Sequence, residues 1–286
     1  MTMSIEKSVD GTGADRDDRW SALRSGRGLI GAALVGAVVL AGLLAPWLAP
    51  FAPDEQIRGA TLLGPSSDHW FGTDSVGRDV FSRTLYGIRI DLLVIFVAVP
   101  VGAVIGSFLG LAASRAAWLD TVLQRSFDLI LAFPTIVLAI ALTMVIGPGI
   151  VTISVVIVLA EIPVFGRLMR TSVLTVRELP YVESARTLGA GEGWILRRHV
   201  LPNCLEPLTV QLALAMSVGV FVEGAMSFLG LGVIPPMPSL GSLIKEGTQN
   251  AYHSPFFVFG PLLVVVVLVL GLLLISQALA ARSRRR

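Results

Sequence analysis

The sequence is short of the residues on which soluble catalysis and secreted scaffolds depend. A single cysteine, Cys204, stands among 286 residues, so no disulfide can close within the chain. Only two lysines occur, and neither Lys7, after Glu6, nor Lys245, after Ile244, follows a glycine. A P-loop requires that order, because its glycine-rich backbone wraps the phosphates that the lysine then reaches. The three histidines, His69, His199 and His253, lie far apart in sequence, and no HExxH occurs. That leaves neither a metal-ligand set nor a base for an intramembrane hydrolase, so no catalytic residue, cofactor or metal site is expected in this chain. Charge is scarce too, at 15% of residues against about 25% in soluble domains. With 22 Lys and Arg against 20 Asp and Glu, the net charge of +2 does not supply the basic face that nucleic acid needs. A hydrophobic content of 54% excludes a disordered chain.

What is abundant is long apolar runs. A helix crosses hydrocarbon with roughly 20 residues at about 1.5 Å each. The runs 29–49, 92–113, 129–146, 150–165, 207–234 and 256–281 meet or approach that length. They predict an all-α polytopic membrane protein with six transmembrane helices. No small-x-small cleavage site closes the first run before Pro46, Trp47 and Pro50, so an anchor rather than a cleaved signal is expected. The GxGxxG string from Gly26 to Gly31 opens a membrane helix with no strand before it, which removes the dinucleotide reading. Gly102, Gly106 and Gly110 form a small-residue stripe suited to close helix packing.

Six spans put both termini on one side, and the basic residues choose which. Seventeen of the 22 lie in segments 1–28, 114–128, 166–206 and 282–286, whereas Arg58, Arg78, Arg83, Arg89 and Lys245 lie on the other side. The positive-inside rule then places both termini in the cytoplasm. The expected organisation is a leader (1–28), a first transmembrane helix (29–50), an extracytoplasmic segment (51–91), a core of five helices (92–281) with a cytoplasmic loop (166–206), and a tail (282–286). A Pro-rich outer loop covers 233–255.

The cytoplasmic loop carries the most specific pattern. It reads Glu178-Leu179-Pro180-Tyr181-Val182-Glu183-Ser184-Ala185-Arg186-Thr187-Leu188-Gly189 and continues to Ile195, His199, Leu201 and Pro202. Pro180 suits a first helical turn, Glu183 complements the N-terminal dipole, and Gly189 is a natural stop. A second short helix is predicted over 191–200, closed by Leu201-Pro202. The pair either projects from the membrane with small and apolar side chains exposed, or lies as an amphipathic loop on the lipid surface.

The order E-x-A, three residues, G and a distant I-x-x-x-H-x-L-P resembles the EAA loop of ABC-importer permeases, with Ser184 where alanine is commoner. Phe71-Gly72-Thr73-Asp74 with Gly77-Arg78-Asp79-Val80-Phe81-Ser82-Arg83 is similar to the GTD-x-x-GRD-x-x-SR stretch of the dipeptide/oligopeptide/nickel branch. Ser227-Phe228-Leu229-Gly230-Leu231-Gly232 with Pro235-Pro236 and Pro238-Ser239 is similar to that branch's SFLGLG-x-x-PP-x-PS. Arg125, Asp128, Phe133-Pro134, Arg167 and Arg170 fall at matching places, and the likeness runs from about 28 to 271. It is nearest to the dipeptide permease C type. Glu161-Ile162-Pro163 departs from it, where many relatives carry a tryptophan-containing stretch.

This resemblance implies the type I ABC importer permease fold in the bacterial cytoplasmic membrane, surrounded by lipid. It implies a heterodimer with a homologous second permease and one or two cytosolic ATPase subunits that hold ATP and Mg. It also implies an extracytoplasmic substrate-binding protein, with dipeptides, oligopeptides, haem or nickel chelates as cargo. The loop becomes a coupling helix, with Tyr181, Glu183, Ser184, Ala185, Arg186, Leu188, Gly189, Ile195, His199, Leu201 and Pro202 at the ATPase contact. The alternative is a stand-alone secondary carrier of small solutes, which would show interrupted helices paired across two halves.

Two carboxylates at membrane depth, Glu161 near the inner end of the fourth run and Glu223 well inside the fifth, are pore or gating candidates. Either faces a polar path or pairs with the second permease. In the segment 73–90, Val80, Phe81, Thr84, Leu85 and Ile88 share a helical face, and Asp74/Arg78 and Asp79/Arg83 are spaced as i, i+4 pairs. It reads as an interfacial helix capping the pore, or as a docking surface for the binding protein through Asp74, Arg78, Asp79 and Arg83.

Overall fold

The computed structural model describes residues 26–283 except 253. The leader to residue 25, His253 and the tail residues 284–286 lie outside the described residues. The described chain is helical throughout apart from loops. Helix α1 (Gly26–Leu43) gives way to a short α2 (Ala45–Leu48) with Pro46 in its first turn. Helix α3 (Val80–Ala113) follows a long outer loop and runs for 34 residues, about 50 Å at the α-helical rise. A hydrocarbon layer is only about 30 Å thick, so the helix is far longer than an upright span needs. The interfacial helix expected over 73–90 and the second run at 92–113 are therefore one element. Arg89 and Asp91 lower the hydropathy between them, but no residue there breaks a helix.

The third run is not one helix. Helices α4 (Ala117–Ala132) and α5 (Thr135–Ile146) meet at 89° across Phe133 and Pro134. Pro134 lacks an N–H and disfavours helical geometry at the residue before it, and Phe133 is extended at φ −92°, ψ 127°. Helix α6 (Ile150–Arg177) runs well past the expected end at 165 and carries Pro163 inside it. Glu161 consequently lies mid-helix rather than near an inner end.

Beyond it come α7 (Pro180–Thr187), α8 (Glu192–Ile195), a wide π turn (Leu196–Val200) and α9 (Leu201–Leu229). Leu201-Pro202 does not end the second loop helix. The chain winds on through the π turn, and Pro202 falls in the first turn of α9, where a missing N–H costs little. Gly230, at φ +84°, ends α9 five residues sooner than the hydropathy suggested, so Glu223 lies within two turns of the outer end. Helices α10 (Leu240–Gln249) and α11 (Phe256–Ser283) complete the fold. Among the described residues, five helices are long and apolar enough to span a membrane, and six if the bent α4–α5 pair counts as one broken span.

Helices α3 and α6 form the most extensive pair, and the glycine stripe explains how. A β-carbon on Gly102 would sit 2.8 Å from Cβ of Glu161. One on Gly106 would overlap the Ile162 carbonyl oxygen, and one on Gly110 the Gly166 carbonyl oxygen. Such backbone approach supplies the dispersion contact that holds helices together where lipid is as apolar as they are. Helix α4 joins this pair through Phe127, whose buried ring fills the space at Gly166. Two ion pairs add to it, Arg170 to Asp120 by two bonds of 2.5 Å and Arg167 to Asp128 at 2.5 Å. Helix α9 packs on α6 and α3, and α11 packs on α1 and α9.

Candidate translocation cavity and coupling surface

At the end of the bundle that carries the 51–79 loop, outer in the expected topology, the polar residues expected to meet a binding protein turn inward. Asp79 caps α3, accepting from the Ser82 amide at 2.7 Å, and its other oxygen lies 3.0 Å from Nδ1 of His69. It is therefore not paired with Arg83. Asp74 accepts from the Val76 and Arg78 amides at 2.9 Å and from Nε of Arg78 at 2.6 Å. Arg83, 1% exposed, lies between Asp74 at 3.7 Å and Glu246 of α10 at 3.4 Å, and donates to the Pro53 carbonyl at 3.3 Å. Arg78 reaches the same Glu246 at 3.5 Å. Burial pushes the Glu246 carboxyl above its usual range, against the pull of Arg83 and Arg78. This network ties the outer loop to α3 and α10. Asp74, Asp79 and Arg83 are buried and serve the cap rather than an exposed docking face. Arg83→Met is expected to destabilise the protein by about 2 kcal/mol, because charged partners lose a buried donor. Arg58→Met in the loop before α3, at an exposed position, should stay within about 0.5 kcal/mol in the same thermal unfolding measurement.

Below this network, Asp91 of α3 and Glu223 of α9 lie against one another. Asp91 accepts from the Leu240 amide that opens α10, at 3.1 Å, and Glu223 accepts from Ser227 at 2.7 Å. Both carboxyls are buried. Glu223 thus joins three helices near their outer ends and does not line the cavity described next. Asp91 was missed by sequence reasoning, which treated it as the last residue before a span. The length of α3 was the missing information.

Glu161 does reach open space. It lines a cavity of about 200 Å³ bounded by the α4–α5 elbow, α6 and α9, through Phe133, Thr135, Leu138, Ile157, Val218 and Val222 among others. The elbow at Phe133-Pro134 shapes one wall through Phe133.

At the opposite end of the bundle, cytoplasmic in the expected topology, α7 and α8 form a hairpin about Gly189. The amide of Ala190 donates to the Ala185 carbonyl at 3.0 Å, and that of Gly189 to the Arg186 carbonyl at 2.9 Å. This is a Schellman stop, and it uses φ +84° at Gly189. Ile195 and Val182 are buried and anchor the hairpin, so Ile195 does not reach its outer surface. His199 sits between Tyr181 and Trp194, with ring centroids at 5.6 and 5.0 Å. Asn203 donates to the Tyr181 hydroxyl at 3.1 Å and to the His199 carbonyl at 2.6 Å, joining the hairpin to α9. Arg186 donates to Glu192 at 2.6 Å, which raises the Arg186 pKa. Glu183, Ser184, Gly189 and Pro202 are exposed, Ala185 and Leu201 are half-buried, and Leu188 is 87% exposed. Leu188 thus stands as an exposed apolar tip on a hairpin pinned by these contacts.

Comparison with known proteins agrees with this geometry. Residues 102–286 match the family described as the binding-protein-dependent transport system inner membrane component. The chain belongs to this family. Residues 20–65 match the N-terminal TM domain of oligopeptide transport permease C. The dipeptide transport system permease protein DppC of Alkalihalophilus pseudofirmus is 36% identical over 252 residues, 88% of this chain and 83% of that protein. The glutathione transport system permease protein GsiD of Pectobacterium atrosepticum is 39% identical over 217 residues, 76% and 72% of the two chains. An inward facing conformation of the MetNI methionine ABC transporter shares the fold, with a TM-score of 0.56 at 22% identity. That match covers 71% of this chain and 95% of that one. The type I importer permease fold is thus established for this family member, as a multi-pass membrane protein.

Proposed function

We propose that this permease forms half of the translocation pore of an ATP-driven peptide importer in the bacterial cytoplasmic membrane, with both termini in the cytoplasm. A homologous second permease supplies the other half. One or two cytosolic ATPase subunits bind ATP and Mg and dock on the α7–α8 hairpin, while an extracytoplasmic binding protein delivers cargo. The chain itself performs no catalysis. The observation that carries this reading is the hairpin, a pinned, apolar-tipped projection on a chain whose two lysines fit no P-loop. Peptide cargo is supported by the dipeptide and glutathione permeases among its relatives. Glu161, facing the cavity, is the pore candidate that the geometry supports. Proteoliposomes holding both permeases and the ATPase, supplied with binding protein and ATP, are expected to accumulate dipeptide. Omitting the ATPase or the second permease should abolish uptake. Uptake by this chain alone would instead establish the secondary carrier.

A further inference from the structure

Glu161 is 8% exposed on a cavity wall, and no hydrogen bond or ion pair reaches its side chain among the described residues. Among the described residues, no charged group bears on it. An ionised carboxylate in such a place costs several kcal/mol unless a cation arrives to face it. The same cavity is lined by Thr135 and Leu138 at the start of α5, whose Pro134 N-cap makes no side-chain bond. Leu138 donates the first backbone bond of that helix, to the Pro134 carbonyl. Among the described residues, the amides before it, from Thr135 to Val137, make no backbone bond and form the positive end of a twelve-residue helix. A broken membrane helix that presents its N-terminus at a cavity is a known device for holding an anionic group. The rest of the lining is apolar.

We infer that this cavity holds a small zwitterion in transit, with its ammonium group against Glu161 and its carboxylate against the N-terminus of α5. The inference deepens the importer reading and rests on it. A free dipeptide has this chemistry, and an N-acetylated one lacks the cation. The two-sided site also gives the elbow at Phe133-Pro134 a purpose that packing alone does not.

Equilibrium dialysis of radiolabelled Ala-Ala against the assembled permease–ATPase complex, free of binding protein, tests the site directly. Saturable binding is expected for the wild type, weakened at least tenfold by Glu161→Gln and kept within about threefold by Glu161→Asp, which preserves the charge. N-acetyl-Ala-Ala should bind weakly and equally to the wild type and to E161Q. Glu161→Ser serves for the same reading if the Gln variant does not assemble. Wild-type affinity for Ala-Ala in E161Q overturns the inference. So does an absence of saturable binding to a wild-type complex that still imports Ala-Ala with its binding protein. A complete complex that imports no peptide overturns the importer reading and the inference with it.

Discussion

Replacing Gly189 with tryptophan is expected to lower substrate-stimulated ATP hydrolysis by the assembled importer at least tenfold, while the chain still inserts in the membrane. Gly189 holds φ +84°, which costs an L side chain about 1 kcal/mol, and the Schellman bonds that stop α7 depend on that geometry. Among the described residues, its two chain neighbours aside, nothing lies within 4 Å of a β-carbon built there. An indole at that point therefore meets only what docks from outside. Gly189→Ala pays the backbone strain without the bulk, so its effect should stay well below that of tryptophan. Glu183→Arg approaches the same surface through charge. It places a cation in the first turn of α7, where the helix dipole favours an anion, and a severalfold loss of stimulated hydrolysis is expected. ATP hydrolysis measured on the purified complex, with and without loaded binding protein, checks all three. Wild-type stimulation in both G189W and E183R would remove the hairpin from the coupling path.

The hairpin was legible in the sequence because its signals are local. Pro180 at a first turn, Glu183 beside it and Gly189 at the stop each act within a few residues, and the structure places α7 where they indicate. The elbow and the long helices were not legible for the opposite reason. Hydropathy marked where residues tolerate lipid, and α3 extends beyond lipid into an outer cap whose stability comes from distant partners. Asp79 finds His69, and Arg83 finds Glu246, across separations that no periodicity encodes. The i, i+4 rule proposed Asp79 with Arg83, but a carboxylate at a helix start has a nearer use, accepting the Ser82 amide. Glu161 and Glu223 were alike as intramembrane carboxylates. Only packing separates them, since one faces a cavity and the other meets Asp91 and Ser227.

The glycine stripe gives a graded expectation. Gly106→Leu should destabilise the protein by at least about 3 kcal/mol, with loss of monodisperse complex on detergent extraction. The added side chain meets the Ile162 carbonyl oxygen and the backbone of Ile162 and Gly166, none of which can swing aside as a side-chain tip would. Helices α3 and α6 would have to separate, and in lipid no hydrophobic force draws them back. Gly36→Leu on α1, where nothing lies within 4 Å, is the matched control and should remain near the wild type. Alanine substitutions should rank by what the new methyl meets. Gly102→Ala is the mildest, at 2.8 Å from Cβ of Glu161, and Gly110→Ala the most severe, against the Gly166 carbonyl. Gly102→Ala is informative for a second reason. It presses on Cβ of the side chain that ends in the cavity carboxylate, so its loss of dipeptide binding should exceed what its small loss of thermal stability would account for. Equal effects on binding and stability across the three alanine variants would mean that the stripe supports the fold alone and leaves the placement of Glu161 untouched.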